Sequence, residues 1–264
     1  MNKDKIIENK KDDKKAIKGF FIIMIVSGLI GGVIGFLTSF AKDNLIQPVA
    51  NMMMNLLWVA VPYGNLIITA VGGAFILYFY RKAKFQFKSW DGDDEVEINR
   101  IEMLLSYVIW ISSVIMILSF FFFAAGLAVN IGDIFDTISR TNLILWFVGY
   151  FVAVTVTIIT QQRVVNFEKI INPEKQGSVF ELNFQKKWVN TCDEAERLNI
   201  YQSSFKAYKT VTMTCIILWL FCVLGMTMWD LGIMPVAMVT IIWLVQTTSY
   251  CMESIRISKY KNEE

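Results

Sequence analysis

Histidine is absent from the 264 residues. That removes Ser-His and Cys-His nucleophilic pairs, zinc peptidases of the HExxH kind and the carboxylate-histidine sites. Charge is scarce as well, at 18% of residues, and none is needed within an apolar run. Glu102 and Glu253 stand nearest, each at a run's edge. Ion-coupled carriers keep an ionisable group at membrane depth, because burying one is tolerated only for function. The charge census therefore argues against a secondary transporter, and against intramembrane aspartyl proteolysis, since every Asp falls in a loop or tail. Four cysteines occur, Cys192, Cys215, Cys222 and Cys251, with no CxxC pair among them. Structural disulfides and thiolate metal sites are not expected. A glycine-rich phosphate loop is missing too. The Met52, Met53 and Met54 cluster lacks the histidines of a copper site, and Gly92 comes too early in the acidic 91–97 stretch for a calcium loop. The expectation is a protein without catalytic residues, cofactor or metal.

What fills the chain is apolar: 55% of residues, with a mean hydropathy of +0.48. Six runs reach the roughly 20 residues a helix needs to cross a hydrocarbon core of about 30 Å. They lie at 19–41, 56–80, 101–129, 142–162, 210–229 and 235–252. Barrel strands alternate apolar with polar residues, whereas these runs are continuous, so the fold class is all-α, a polytopic membrane protein with six spans. The first run is longer than a signal core and follows a hydrophilic arm of residues 1–18, which marks it as a retained span.

Of the 25 basic residues, all but Lys42 and Arg140 fall on one side of these runs. The positive-inside rule then places both termini in the cytoplasm. The domains read as a cytoplasmic arm (1–18), four spans (19–162), a cytoplasmic helical segment (163–209), a hairpin of two spans (210–252) and a tail (253–264). The same inner face carries all the acids except Asp43, Asp133, Asp136 and Asp230. It is nearly balanced in charge, which suits lipid headgroups and not nucleic acid.

Within the spans, Gly28 with Gly32 and Gly31 with Gly35 form overlapping GxxxG pairs that permit close helix packing, within this chain or between copies. Residues 42–55 read as a short exterior loop, and Pro62 with Gly64 as a kink. Residues 81–100 read as an inner loop passing from basic to acidic. Asn65 and Gln246 are the polar span residues of most interest, with a structural role the simpler reading.

The longest polar interior stretch, 161–209, carries a turn signal at Asn172-Pro173 and a break near Gly177. Ser178 with Glu181, and Thr191 with Glu194, are capping-box patterns. Phe184, Trp188, Cys192, Ala195, Leu198, Tyr201, Phe205 and Tyr208 then recur at close to helical spacing. They predict one amphipathic face, with Phe184, Trp188, Cys192, Leu198, Tyr201 and Phe205 as candidate partner-docking residues. The occupant is another cytoplasmic piece of the chain, a second copy or a different protein.

The wording of that stretch, Asn172-Pro173-Glu174-Lys175, Phe184-Gln185-Lys186-Lys187-Trp188, Cys192-Asp193-Glu194-Ala195-Glu196 and Tyr208-Lys209, resembles a family of six-span membrane proteins of Gram-positive bacteria (a DUF3169-like domain of unknown function). The resemblance implies a bacterial plasma membrane and supplies no active site. The leading expectation is a membrane subunit with a regulatory, sensing or self-protection role through cytoplasmic docking. The alternative is the permease subunit of an ATP-driven exporter with a separate ATPase.

Overall fold

The computed structural model of the chain describes residues 22, 25–26, 28–29, 32–33, 47–90, 95–132, 140–228 and 232–260. Among the described residues from 47 onward, six helices follow one another: α1 Gln47–Ser89, α2 Glu95–Gly132, α3 Arg140–Ile171, α4 Phe184–Asn190, α5 Glu194–Met228 and α6 Met234–Tyr260. No strand occurs among the described residues. Among the described residues, five helices are long and apolar enough to cross a membrane, as in a multi-pass membrane protein: Val59–Ser89, Val96–Leu127, Thr141–Ile171, Glu194–Met226 and Met234–Arg256. In a medium without hydrogen-bond partners, a helix is the form in which an apolar segment satisfies its own backbone. Most of the predicted 19–41 span, and the 1–18 arm, lie outside the described residues. Those of the span that are described are helical.

Two sequence expectations about connections are corrected. Residues 47–55 are helix and not exterior loop. Pro48 falls in the first turn, where a missing N–H costs nothing, and unbranched Met and Leu follow it. The 81–100 loop is likewise shorter, because α1 runs through Lys88 to Ser89 and α2 begins at Glu95. No Gly or Pro interrupts residues 81–89, so nothing local stops the helix there. Pro62 stands inside α1 as expected.

The chain divides into two compact units, residues 52–202 and residues 1–51 with 203–264. In the first, α1, α2 and α3 pack around Ile76, Ala83, Ile101, Leu105, Val108, Ala153 and Phe167. Val61 and Trp146 anchor a second cluster with Phe122 and Phe123. The helices approach closely at glycines. A Cβ on Gly64 would stand 2.5 Å from the Phe122 ring, and one on Gly126 would overlap the Trp146 indole. The Trp146 Nε1 donates to the Phe122 carbonyl at 3.2 Å, joining α3 to α2. Gly72 is as close, a Cβ there standing 2.6 Å from Ile115, whereas a Cβ at Gly28 or Gly32 would meet none of the described residues within 4 Å. Gly31 and Gly35 lie outside the described residues.

Span hydroxyls satisfy themselves on the preceding turn: Thr69 on the Asn65 carbonyl, Ser119 on Ile115 and Thr157 on Ala153. Asn65 is fully buried, and neither of its amide atoms meets a partner among the described residues. In the second unit, Gln246 on α6 donates to the Tyr208 carbonyl on α5 at 2.9 Å, and the Tyr208 and Tyr250 rings stack at 4.6 Å.

Candidate functional site

The polar groups of the 52–202 unit converge where α2 begins and α3 ends. Pro173 cannot continue α3 and pushes Asn172 out of the helical region. The chain turns there, with the Lys175 N–H on the Asn172 carbonyl at 3.1 Å. The Asn172 amide uses its two hydrogens on two carboxylates, Glu102 Oε1 and Glu168 Oε1, each at 3.0 Å. One side chain thus fastens α2 to α3. Gly177 follows with φ of 113°, a conformation open to glycine and strained for other residues. Its carbonyl accepts from the Lys169 ammonium.

That turn carries Lys175 into the protein, leaving its side chain 2% exposed. The ammonium pairs with Glu196, lies 3.4 Å from Cys192 Sγ, and stands 5.9 Å from the centre of the Trp188 ring. Burial on its own would lower the Lys175 pKa, but the hydrogen bonds and charge of Glu196 and Cys192 outweigh it and hold the pKa above its ordinary value. Burial pushes the Cys192 thiol up, and Lys175 draws it back only in part. A protonated ammonium and a protonated thiol are both poor nucleophiles. No three His, Cys, Asp or Glu side chains among the described residues could hold a metal ion. The arrangement is a clamp, built to hold a loop against a helix start.

The ends of α4 and α5 complete it. Ser178 does not open a helix: its carbonyl accepts from Glu181 in a turn, and its hydroxyl donates to Gln162 Oε1 at 3.3 Å. The helix starts at Phe184 instead. Thr191 closes α4, its hydroxyl donating to the Trp188 carbonyl at 2.8 Å. The capping box that starts α5 belongs to Asp193 and Glu196: the Glu196 N–H donates to Asp193 Oδ1 at 2.7 Å, and the Asp193 N–H donates to Glu196 Oε2 at 3.0 Å. Arg197 covers the last carbonyls of α4, at Val189 and Asn190.

The predicted docking face is therefore not one continuous stripe. The break at 191–193 separates Phe184 and Trp188, half-buried with rings 5.5 Å apart, from the residues of α5. Cys192 is buried in the clamp. Leu198 and Tyr201 are exposed on the first turns of α5, as are Phe180 and Leu182 in the preceding turn. Phe205 is exposed in the other unit. Sequence reasoning missed Lys175, Glu196, Asn172, Glu102 and Glu168 as a group. Their one local signal is the Asn-Pro turn, which says that the chain bends but not that the lysine turns inward.

The family model described as "Protein of unknown function (DUF3169)" matches residues 10–254, so the chain belongs to that family. No curated protein and no solved structure matches it.

Proposed function

We propose that this DUF3169 protein is a non-enzymatic subunit of a bacterial plasma membrane, with six spans and both termini inside. It docks a protein partner through the segment between its fourth and fifth spans, in a regulatory, sensing or self-protection role. One observation carries this reading: Leu198, Tyr201, Phe180 and Leu182 are exposed on a segment that a buried lysine clamps in place. Apolar residues on a loose linker would have to be ordered on binding, whereas on a clamped one that entropy has already been spent. Aromatic and aliphatic anchors of this kind contribute most at interfaces, and the basic residues of the 163–209 segment put it on the inner side.

Purification in a gentle detergent, with identification of co-eluting proteins, tests it. Leu198→Ala with Tyr201→Ala should release the partner from an intact protein. Unchanged co-elution removes the docking reading. A stoichiometric ATPase as the co-eluting protein would favour the permease reading in its place.

A further inference from the structure

Where α1 leaves its apolar stretch, it carries positive charge that no carboxylate among the described residues pairs with. Its inward side is set by Ile76, Ala83 and Phe87, which pack in the core. The opposite side is exposed through Val71, Phe75 and Tyr78. With 3.6 residues per turn, that same side continues into Lys82 and Phe85, with Arg81 and Lys88 on one flank and Lys84 beside them. All five are exposed, Phe85 to 74%. None of the four cations pairs with a carboxylate among the described residues.

Depth places this cluster. About 20 residues fill a hydrocarbon core of about 30 Å, so a segment ending at Tyr80 occupies the core. The step from Arg81 to Lys88 then covers roughly 10 Å at 1.5 Å per residue, the depth of the headgroups. We propose that this end of α1 binds an anionic phospholipid of the surrounding bilayer. Its phosphate sits among Arg81, Lys84 and Lys88, and Phe85 reaches to the acyl boundary. The guanidinium of Arg81 offers a fork matched to phosphate oxygens, and the lysines add point charges. Tyr78 lies about one turn inward of Arg81, at the level where amphipathic rings flank a membrane. The continuity of this cationic side with the lipid-facing stripe selects a lipid over an acidic protein.

The test uses the full chain in mixed micelles with equal phosphatidylglycerol and phosphatidylcholine, counting retained lipids by native mass spectrometry. The wild type should retain phosphatidylglycerol in excess, and each neutralised cation should lower that excess about fivefold. The quadruple Arg81→Gln, Lys82→Gln, Lys84→Gln, Lys88→Gln variant should lose it. Lys82→Arg, Lys84→Arg, Lys88→Arg should keep it, as should Lys186→Gln with Lys206→Gln elsewhere. Equal retention of the two lipids by the wild type, or an undiminished excess in the quadruple variant, would overturn the proposal. Displacement by millimolar inorganic phosphate would overturn it as well, since the site would then serve a soluble anion. Should the quadruple variant fail to fold, the wild-type excess must still fall as salt rises; a salt-independent excess overturns the proposal.

Discussion

Replacing Lys175 by Met should expose Cys192 to thiol reagents. The substitution keeps most of the buried aliphatic volume and removes the charge that ties the 172–177 turn to α5. Breaking a buried ion pair costs about 3 to 5 kcal/mol, and an exposed pair is worth about 0 to 1. Here the lysine side chain is 2% exposed and the glutamate 37%, so solvent screening of Glu196 sets the loss at about 2 kcal/mol. At about 1.4 kcal/mol per factor of ten, the segment should open roughly 30-fold more often. Cys192 is 5% exposed, so its alkylation must pass through that opening. The assay is the rate of maleimide labelling in a Cys215→Ser, Cys222→Ser, Cys251→Ser background. Chemistry and opening predict opposite signs. Without the neighbouring ammonium the thiolate is less favoured, so a purely electrostatic effect would slow labelling. A rate within twofold of the parent, or a slower one, refutes the clamp.

The same pair sets a pH window. Lys175 has a raised pKa, so its stabilisation is intact at neutral pH and is lost as pH rises through the folded-state value, above the ordinary 10.4 or so. The raised Cys192 pKa acts in the same direction, because above about 8.5 the opened thiol ionises first. Amide exchange over residues 172–197, corrected for its intrinsic pH dependence, should accelerate between about pH 9 and 11; loss of protection confined to acid would contradict this. Gly126→Ala should cost about 1 to 3 kcal/mol of unfolding free energy in detergent by forcing α2 from α3, whereas Gly73→Ala, with nothing within 4 Å, should be nearly silent. Equal effects would remove the close-approach argument. Trp146→Phe should cost about 0.6 kcal/mol for the lost indole bond, read by the same melts. Asn65→Leu should stabilise by about 1 to 2 kcal/mol, since neither amide atom is paired among the described residues; a destabilised variant would mean that the amide has a partner.

The spans were legible because an apolar run of span length has one solution in lipid, and four of the six expected runs lie within α1, α2, α3 and α6 while a fifth is continuous with α5. Their ends were not, since helix formers such as Lys84, Gln86 and Lys88 carry a helix past the point where hydropathy falls. Among the described residues the tight contacts fall at Gly64, Gly72 and Gly126, none of which stands in a GxxxG pair. Spacing along one helix cannot reveal which glycine faces a large ring on another. Lys175 was hidden for a related reason. A lysine after a Pro turn looks solvated until Glu196, 21 residues later, is brought back beside it.

Glu196 holds the start of α5 and the lysine upstream with one carboxylate. A protease that cut the exposed chain near Leu182 would therefore leave two pieces still fastened to each other, each owning one half of the bond. The nick should pass unnoticed on a native gel and appear only in denaturant. Co-expressing residues 1–182 and 183–264 as separate chains should then rebuild a working whole.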